Sequence, residues 1–383
     1  MEEMLLSNEL NMLRKTVRAF TREFVVPTEK AAGSTIEQLS MAVVKELQKK
    51  AKERGLWLFG TQSEWGGAGL SYFEQVVILE EVVQHRLGLQ HPGAGAFGED
   101  LPNFLSGCSA EQFEKYVKPA IKTGNGCYIA LWEPEESNHL DNLTCYAEKK
   151  DGKWIIQGKK SCVTHVDRAD FGVLLVQCLT ENREGKPTLF LLDRDDLIGK
   201  REQVLLDVQT SHVLSFEKLE LEDTRRIGEL GEGIKLLNEW LAISQVLMSA
   251  RYLGIAKMAL KIGIDYASLR ITRGKPLSGY PTIRTMMAVS EAELQAARLT
   301  VWNAALKMDQ KKRDRDHVAQ IAKLIASETA AKVVDRVLQI HGGAGFTRDV
   351  PLERWYKELR INRLHFQSSE TLHESIAAYL LEK

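Results

Sequence analysis

Apolar residues recur at spacings of three and four early in the chain: Leu10, Leu13, Val17, Phe20 and Phe24 stripe one face, and Val43, Leu47 and Ala51 do the same. That period predicts helices. Tyr72 to Leu87 predicts another, entered from Gly66-Gly67-Ala68-Gly69, a run that a helix interior disfavours. Ser109, with Gln112 three residues on, predicts a helix start in a capping box. From about Gly126 to Asp223 the pattern shortens. Trp154-Ile-Ile-Gln, Phe171-Gly-Val-Leu-Leu-Val-Gln and Thr188-Leu-Phe-Leu-Leu are apolar runs of strand length, and Val213 to Leu221 alternates at period two. Asp151-Gly152 predicts a hairpin turn between two of these strands. From Gly231 helical texture returns in four segments, residues 234–269, 282–308, 316–340 and 368–381. Their breaks fall at Arg273-Gly-Lys-Pro, Lys311-Lys-Arg-Asp-Arg-Asp and His341-Gly-Gly-Ala-Gly. The order predicts an α+β chain: an all-α domain over residues 1–121, a β domain over 122–226 and a C-terminal four-helix bundle over 227–383. Such long striped helices predict a bundle completed in part by a neighbouring subunit.

Composition narrows the function. Of 383 residues, 44% are hydrophobic and 27% charged, as in ordinary globular proteins. Lys+Arg 51 against Asp+Glu 52 leaves a formal charge of -1, without the basic excess that nucleic-acid binding needs. No apolar stretch approaches the ~20 residues of a membrane span, and the opening Met-Glu-Glu-Met carries acid where a signal peptide carries base. The expectation is a cytoplasmic protein with neither nucleic acid nor membrane as partner. Cys108, Cys127, Cys145, Cys162 and Cys178 contain no C-x-x-C, which argues against a disulfide framework and a zinc site. The scattered histidines give no other metal pattern, so no metal is expected. His341-Gly-Gly-Ala-Gly-Phe follows a helix rather than a strand, so it is not a dinucleotide fingerprint. It predicts a helix C-cap with glycines at positive φ, or a backbone surface open to a pyrophosphate.

Six segments, in order, resemble the acyl-CoA dehydrogenase family of flavoenzymes. Glu64-Trp-Gly-Gly-Ala-Gly-Leu-Ser looks like the family's E-[YW]-G-G-x-G, and Trp132-Glu133-Pro134 stands where it has T-E-P-x-A-G-S-D. Gly158-Lys-Lys-Ser-Cys-Val-Thr164 is similar to G-x-K-x-W-I-T, and Arg270-Ile-Thr-Arg-Gly-Lys-Pro to R-x-x-F-G-x-P. Gln339-Ile-His-Gly-Gly-Ala-Gly-Phe resembles Q-x-x-G-G-x-G-[YF], and Pro351-Leu-Glu-Arg resembles P-x-E-R. The resemblance implies FAD, an acyl-CoA thioester, a homodimer or homotetramer, and an electron acceptor such as an electron-transfer flavoprotein. It also implies loss of the acyl α-proton to a carboxylate, with the β-hydride passing to the flavin.

Carried over residue by residue, Thr164 matches the threonine whose hydroxyl meets the flavin. Arg270 matches the arginine reaching the FAD pyrophosphate of a neighbouring subunit. Gln339, Gly342 and Gly343 match the cross-subunit FAD segment, and Ser368 and Glu370 match the hydroxyl and last position of the C-terminal G-T-x-[EQ]. Several cofactor positions depart from the pattern, among them Pro281, which replaces a glutamine near the adenine end. Trp132 replaces a threonine at the flavin edge, Cys162 replaces the tryptophan that packs on the ring system, and Arg273 replaces a phenylalanine. Asn138 stands for the phosphate-binding serine, in a stretch where Glu135 and Glu136 oppose an anionic cofactor.

The catalytic base is the largest departure. The resemblance places it either just before the G-T segment, where this chain has Phe366, or on the first long C-terminal helix, where it has Ser244-Gln245. Neither accepts a proton near neutral pH. A third position, by likeness to members acting on cyclic acyl groups, is Glu99 or Asp100. The simpler expectation there is Asp100 as a helix N-cap and Glu99 solvated. Two functions stay open: an acyl-CoA-dependent FAD oxidoreductase with an atypical or missing base, or a non-catalytic homologue that pairs with an active paralogue in a hetero-oligomer.

Overall fold

In the computed structural model, residues 6–134, 140, 142–197 and 199–381 are described. They divide into two units, one of Met1–Gly60, Leu70–Phe97 and Ala242–Lys383, the other of Thr61–Gly69 and Gly98–Leu241.

The first unit is helical. Asn8–Phe20 opens on Ser7, whose hydroxyl accepts the Leu10 N–H, and Val17 and Phe20 on its inner face are buried. Met41–Lys52 buries Val44, Leu47 and Ala51. Tyr72–Val82 starts in a complete capping box between Ser71 and Glu74, and the Asp309 carboxylate also accepts its Tyr72 and Phe73 N–H groups. The long helices follow the apolar pattern to within a residue or two: Gly233–Leu269, Pro281–Asp309, Arg315–His341 and Ser369–Leu381. Pro281 sits at the first helical position, where its missing N–H costs nothing. A further helix, Leu352–Asn362, lies between the last two. One apolar core runs through this unit, from Leu10 and Phe20 to Val337 and Trp355.

The second unit holds an eight-stranded sheet. Seven strands follow the order β6-β7-β3-β2-β4-β5-β8, and β1 pairs with β4. They are β1 (Cys127–Ala130), β2 (Tyr146–Lys150), β3 (Lys153–Val163), β4 (Phe171–Leu179), β5 (Gly185–Leu192), β6 (Gly199–Leu205), β7 (Gln209–Glu222) and β8 (Arg226–Ile227). β1 and β2 run parallel to β4, and the other pairings are antiparallel. β2 turns into β3 at Asp151-Gly152, both at positive φ (51° and 84°), as a mirror-image hairpin turn requires. Two bulges interrupt the β3–β7 ladder. One holds Lys218 and the other Cys162, both non-glycine residues at positive φ (61° and 55°).

Candidate functional site

In the sheet unit the candidate residues gather at the end of β3. The chain leaves β1 through Leu131, Trp132 and Glu133. Glu133 is buried and ties this loop to β3: the Lys160 ammonium donates to its Oε1 at 2.7 Å and to the Leu131 carbonyl at 2.9 Å. The Thr144 N–H and the Cys145 N–H donate to the same carboxylate, at 2.7 and 3.2 Å. Burial works to raise the Glu133 carboxyl, but the Lys160 charge and these donors outweigh it and hold it below its ordinary value. The Ser161 N–H donates to the Trp132 carbonyl at 2.7 Å, so Trp132 lies alongside the bulge that holds Cys162.

That bulge redirects the chain. Cys162 is exposed at φ 55°, and His165 follows at φ 63°, so Thr164 is held between two left-handed positions. Bulges and strained non-glycine backbone concentrate where a side chain must be aimed. Glu99 reaches the same place, with its Oε1 3.5 Å from His165 Nδ1, and its Cβ would stand 3.0 Å from a Cβ at Gly126 (φ 69°), a tight approach. Asp100 goes elsewhere and is not a helix N-cap. Its Oδ1 accepts both the N–H and the hydroxyl of Thr61, each at 2.7 Å, while the next short helix, Asn103–Gly107, starts after Pro102. Two neighbouring carboxylates thus part: Glu99 comes beside the residue following Thr164, and Asp100 secures a turn. Asn138 lies outside the described residues.

In the helical unit a hydrogen bond joins the neighbours of the two candidate base positions. Gln245, next to Ser244, donates from Nε2 to Gln367 Oε1 at 2.8 Å, next to Phe366. Phe366 is at φ 62° and half-buried. Its loop is pinned by Lys323, fully buried, whose ammonium donates to the Gln367 carbonyl at 2.6 Å and the Arg363 carbonyl at 3.1 Å. Burial pushes this lysine down to about 8. Glu328 accepts from Arg363 and from the Ser369 hydroxyl, at 2.5 and 2.8 Å. Ser368 caps the last helix by accepting the Thr371 N–H, and Glu370 is exposed in its first turn, a favourable place for a carboxylate.

The remaining candidate residues share one end of the long helices. Tyr266 stacks on His341 with ring centroids 4.2 Å apart and planes at 20°. The Arg270 N–H donates to the Tyr266 carbonyl, so the stack joins the end carrying Arg270 to the end carrying Gln339, Gly342 and Gly343. Arg270, Gln339, Gly342 and Gly343 are all exposed there. Gly342 (φ 57°) ends its helix, whereas Gly343 is not at positive φ, and a Cβ on either would meet nothing within 4 Å. Arg273 stands with Gly274 at the turn of a two-stranded ribbon, β9 (Ile271–Thr272) and β10 (Lys275–Pro276), at φ 47°. Open glycine backbone beside exposed guanidinium groups fits the diphosphate of a dinucleotide.

Sequence reasoning missed the Glu133–Lys160 pair and the Lys323 clamp, because a lysine in a polar run gives no sign that its ammonium is buried. The strain at Cys162 was equally hidden: nothing short of the pairing register reveals a bulge.

Comparison with known proteins bears on the family and the fold. The model of the acyl-CoA dehydrogenase N-terminal domain matches residues 7–123, and that of the acyl-CoA dehydrogenase C-terminal domain matches residues 231–381. The chain is 29% identical to (R)-benzylsuccinyl-CoA dehydrogenase of Thauera aromatica, covering 98% of this chain and 96% of that protein. It is 29% identical to 3-(aryl)acrylate reductase of Clostridium sporogenes, covering 99% of this chain and 100% of the other. The fold is similar to that of butyryl-CoA dehydrogenase from Megasphaera elsdenii, with a TM-score of 0.83, 21% identity, and coverage of 98% and 99% of the two chains.

Proposed function

The chain belongs to the acyl-CoA dehydrogenase family, and from that premise we propose that it is an FAD-dependent oxidoreductase of acyl-CoA thioesters that works without a carboxylate at either usual base position. One observation carries the reading: the Gln245–Gln367 hydrogen bond joins the neighbours of Ser244 and Phe366, and neither residue can accept an α-proton. FAD, when bound, supplies the two-electron acceptor or donor. Thr164, Trp132 and Cys162 would line its ring system. Arg270, Arg273 and the 339–343 segment would hold the diphosphate of a neighbouring subunit's cofactor, and Ser368 and Glu370 would stand at the helix start beside it.

Oxidation of a saturated thioester requires removal of a weakly acidic α-proton, and general-base catalysis typically supplies ~10²–10⁴-fold. Without it the saturated substrate turns over slowly. Reduction of an α,β-unsaturated thioester asks less of the protein, because the α-carbon then takes up a proton that solvent can give. Both a dehydrogenase and a reductase stand among the relatives. Glu99, beside His165, is the carboxylate we assign as substitute proton carrier. The partners in this reading are a second copy or a paralogue, forming a dimer or tetramer, and an electron acceptor such as an electron-transfer flavoprotein.

The departures at Trp132, Cys162 and residues 135–139 favour a second reading, a non-catalytic subunit paired with an active paralogue. Colour separates the two. Protein purified yellow with one FAD per chain, bleached by a thioester or re-oxidised by an unsaturated one, supports the enzyme. Colourless protein that stays colourless after incubation with FAD supports the partner subunit.

A further inference from the structure

We propose that Lys323 and Gln245 are positioning residues that hold the 363–367 loop in the conformation that receives the acyl thioester. The proposal rests on the functional reading above, in which that loop and Ser244 stand at the reacting end of the substrate. The loop follows helix Leu352–Asn362 and precedes helix Ser369–Leu381. Two other helices grip it. Arg315–His341 supplies Lys323, whose ammonium donates to the Arg363 and Gln367 carbonyls at 3.1 and 2.6 Å. Gly233–Leu269 supplies Gln245, which is buried and whose amide donates to the Gln367 side chain at 2.8 Å. Gln367 is thus held by its main chain from one helix and by its side chain from the other.

Taking an ammonium out of water is costly, and a partner carboxylate is the usual compensation. Lys323 is 0% exposed, yet among the described residues it forms no ion pair, and its hydrogen bonds go to main-chain carbonyls of this one loop. A side chain that only filled the core would be apolar and carry no such cost. Between the two carbonyls the chain passes through Phe366 at φ 62°, a left-handed conformation unfavourable for a bulky residue. Strain of that kind persists where the surroundings over-determine it, and it concentrates at functional sites. The ammonium and the Gln245 amide supply that over-determination from two sides. Because both carbonyls belong to the main chain, the lysine fixes the path of the loop itself, so Phe366 and Gln367 are presented from a fixed backbone.

The test reads the loop and the ligand separately. Hydrogen exchange of residues 363–368, followed by mass spectrometry on the full-length protein at a single pH, needs no substrate. Titration calorimetry with crotonyl-CoA and with cinnamoyl-CoA reads thioester affinity, and flavin absorbance after gel filtration reads FAD retention. Lys323→Met keeps an unbranched side chain and removes the donor. Exchange in 363–368 should rise at least about tenfold and thioester affinity should fall by a similar factor, since two charge-assisted bonds are lost. Gln245→Met should act in the same direction by about two- to tenfold, the value of one neutral bond, and it keeps the proposal testable if the lysine variant does not fold. FAD retention should match wild type in both. Loop exchange equal to wild type in the folded variants would overturn the proposal. So would faster exchange with unchanged thioester affinity, or a loss of FAD as large as the loss of thioester, which marks a merely structural role. A wild type that binds neither thioester overturns the functional reading and the proposal with it, whereas a wild type that binds them no better than the variants do overturns the proposal alone.

Discussion

Gln245 donates its side-chain N–H to Gln367 at 2.8 Å, and that bond joins the helix carrying Ser244 to the loop carrying Phe366. The two positions where the resemblance would place the base, 122 residues apart in the chain, therefore have hydrogen-bonded neighbours here. Neither position carries a carboxylate.

The loop's anchor makes a pH-dependent prediction. Lys323, ordinarily near 10.5, is pushed down to about 8 by burial. Between those values the unfolded chain binds the proton and the folded chain does not, so stability rises with pH across that window. Below about pH 8 both states are protonated and the burial penalty is fully felt. Chemical denaturation at pH 7 and pH 10 should show this rise in the wild type and lose it in Lys323→Met. A variant with the same pH dependence as the wild type would remove Lys323 as its source.

Glu133 and Lys160 make a buried pair in the sheet unit, 3% and 0% exposed. Removing one partner of such a pair strands the other's charge, a loss of about 3–5 kcal/mol. Glu133→Gln should fall in that range by urea unfolding. A loss below about 1 kcal/mol, the value of a surface pair, would contradict the burial.

Arg270→Ala should lower FAD occupancy. A charge-assisted phosphate contact is worth roughly 1.5–3 kcal/mol, or about ten- to a hundredfold in affinity. Absorbance ratios of flavin to protein after gel filtration measure this directly, and unchanged occupancy would count against the assignment.

Leu269, Ile271 and Phe346 are 81%, 56% and 67% exposed, close in sequence to Arg270 and to the 339–343 segment. Large apolar side chains left in water beside the candidate cofactor segment make a subunit contact the expected outcome. Light scattering during size exclusion should give a dimer or tetramer, alone or with a paralogue. A monomer at micromolar concentration that kept its FAD would exclude this.

Much of the fold was legible from the sequence, for local reasons. The Asp151-Gly152 turn, the Ser109 capping box and the ends of the helices Gly233–Leu269, Pro281–Asp309, Arg315–His341 and Ser369–Leu381 follow from turn chemistry, capping and apolar period. Leu352–Asn362 was legible only as the Pro-Leu-Glu-Arg likeness, because its eleven residues carry buried Arg354, Glu358 and Asn362 beside its apolar positions. At the site, Asp100 is not the N-cap its loop-like surroundings predict: Thr61, 39 residues away, supplies two donors that outcompete a local cap. Cys162 at positive φ, the Lys323 clamp and the Glu99–His165 approach all depend on pairing between distant segments, which no local pattern encodes.

The most direct test of the central claim is anaerobic mixing of the FAD-bound protein with a panel of saturated straight-chain and aryl-bearing acyl-CoA thioesters, following flavin bleaching. Wild type should bleach slowly with butyryl- and octanoyl-CoA, Ser244→Glu should bleach faster, and Glu99→Gln should abolish the residual wild-type rate while Asp100→Asn leaves it unchanged. Rapid bleaching of wild type that survives Glu99→Gln would contradict the account, because a base would then act from a position it does not recognise.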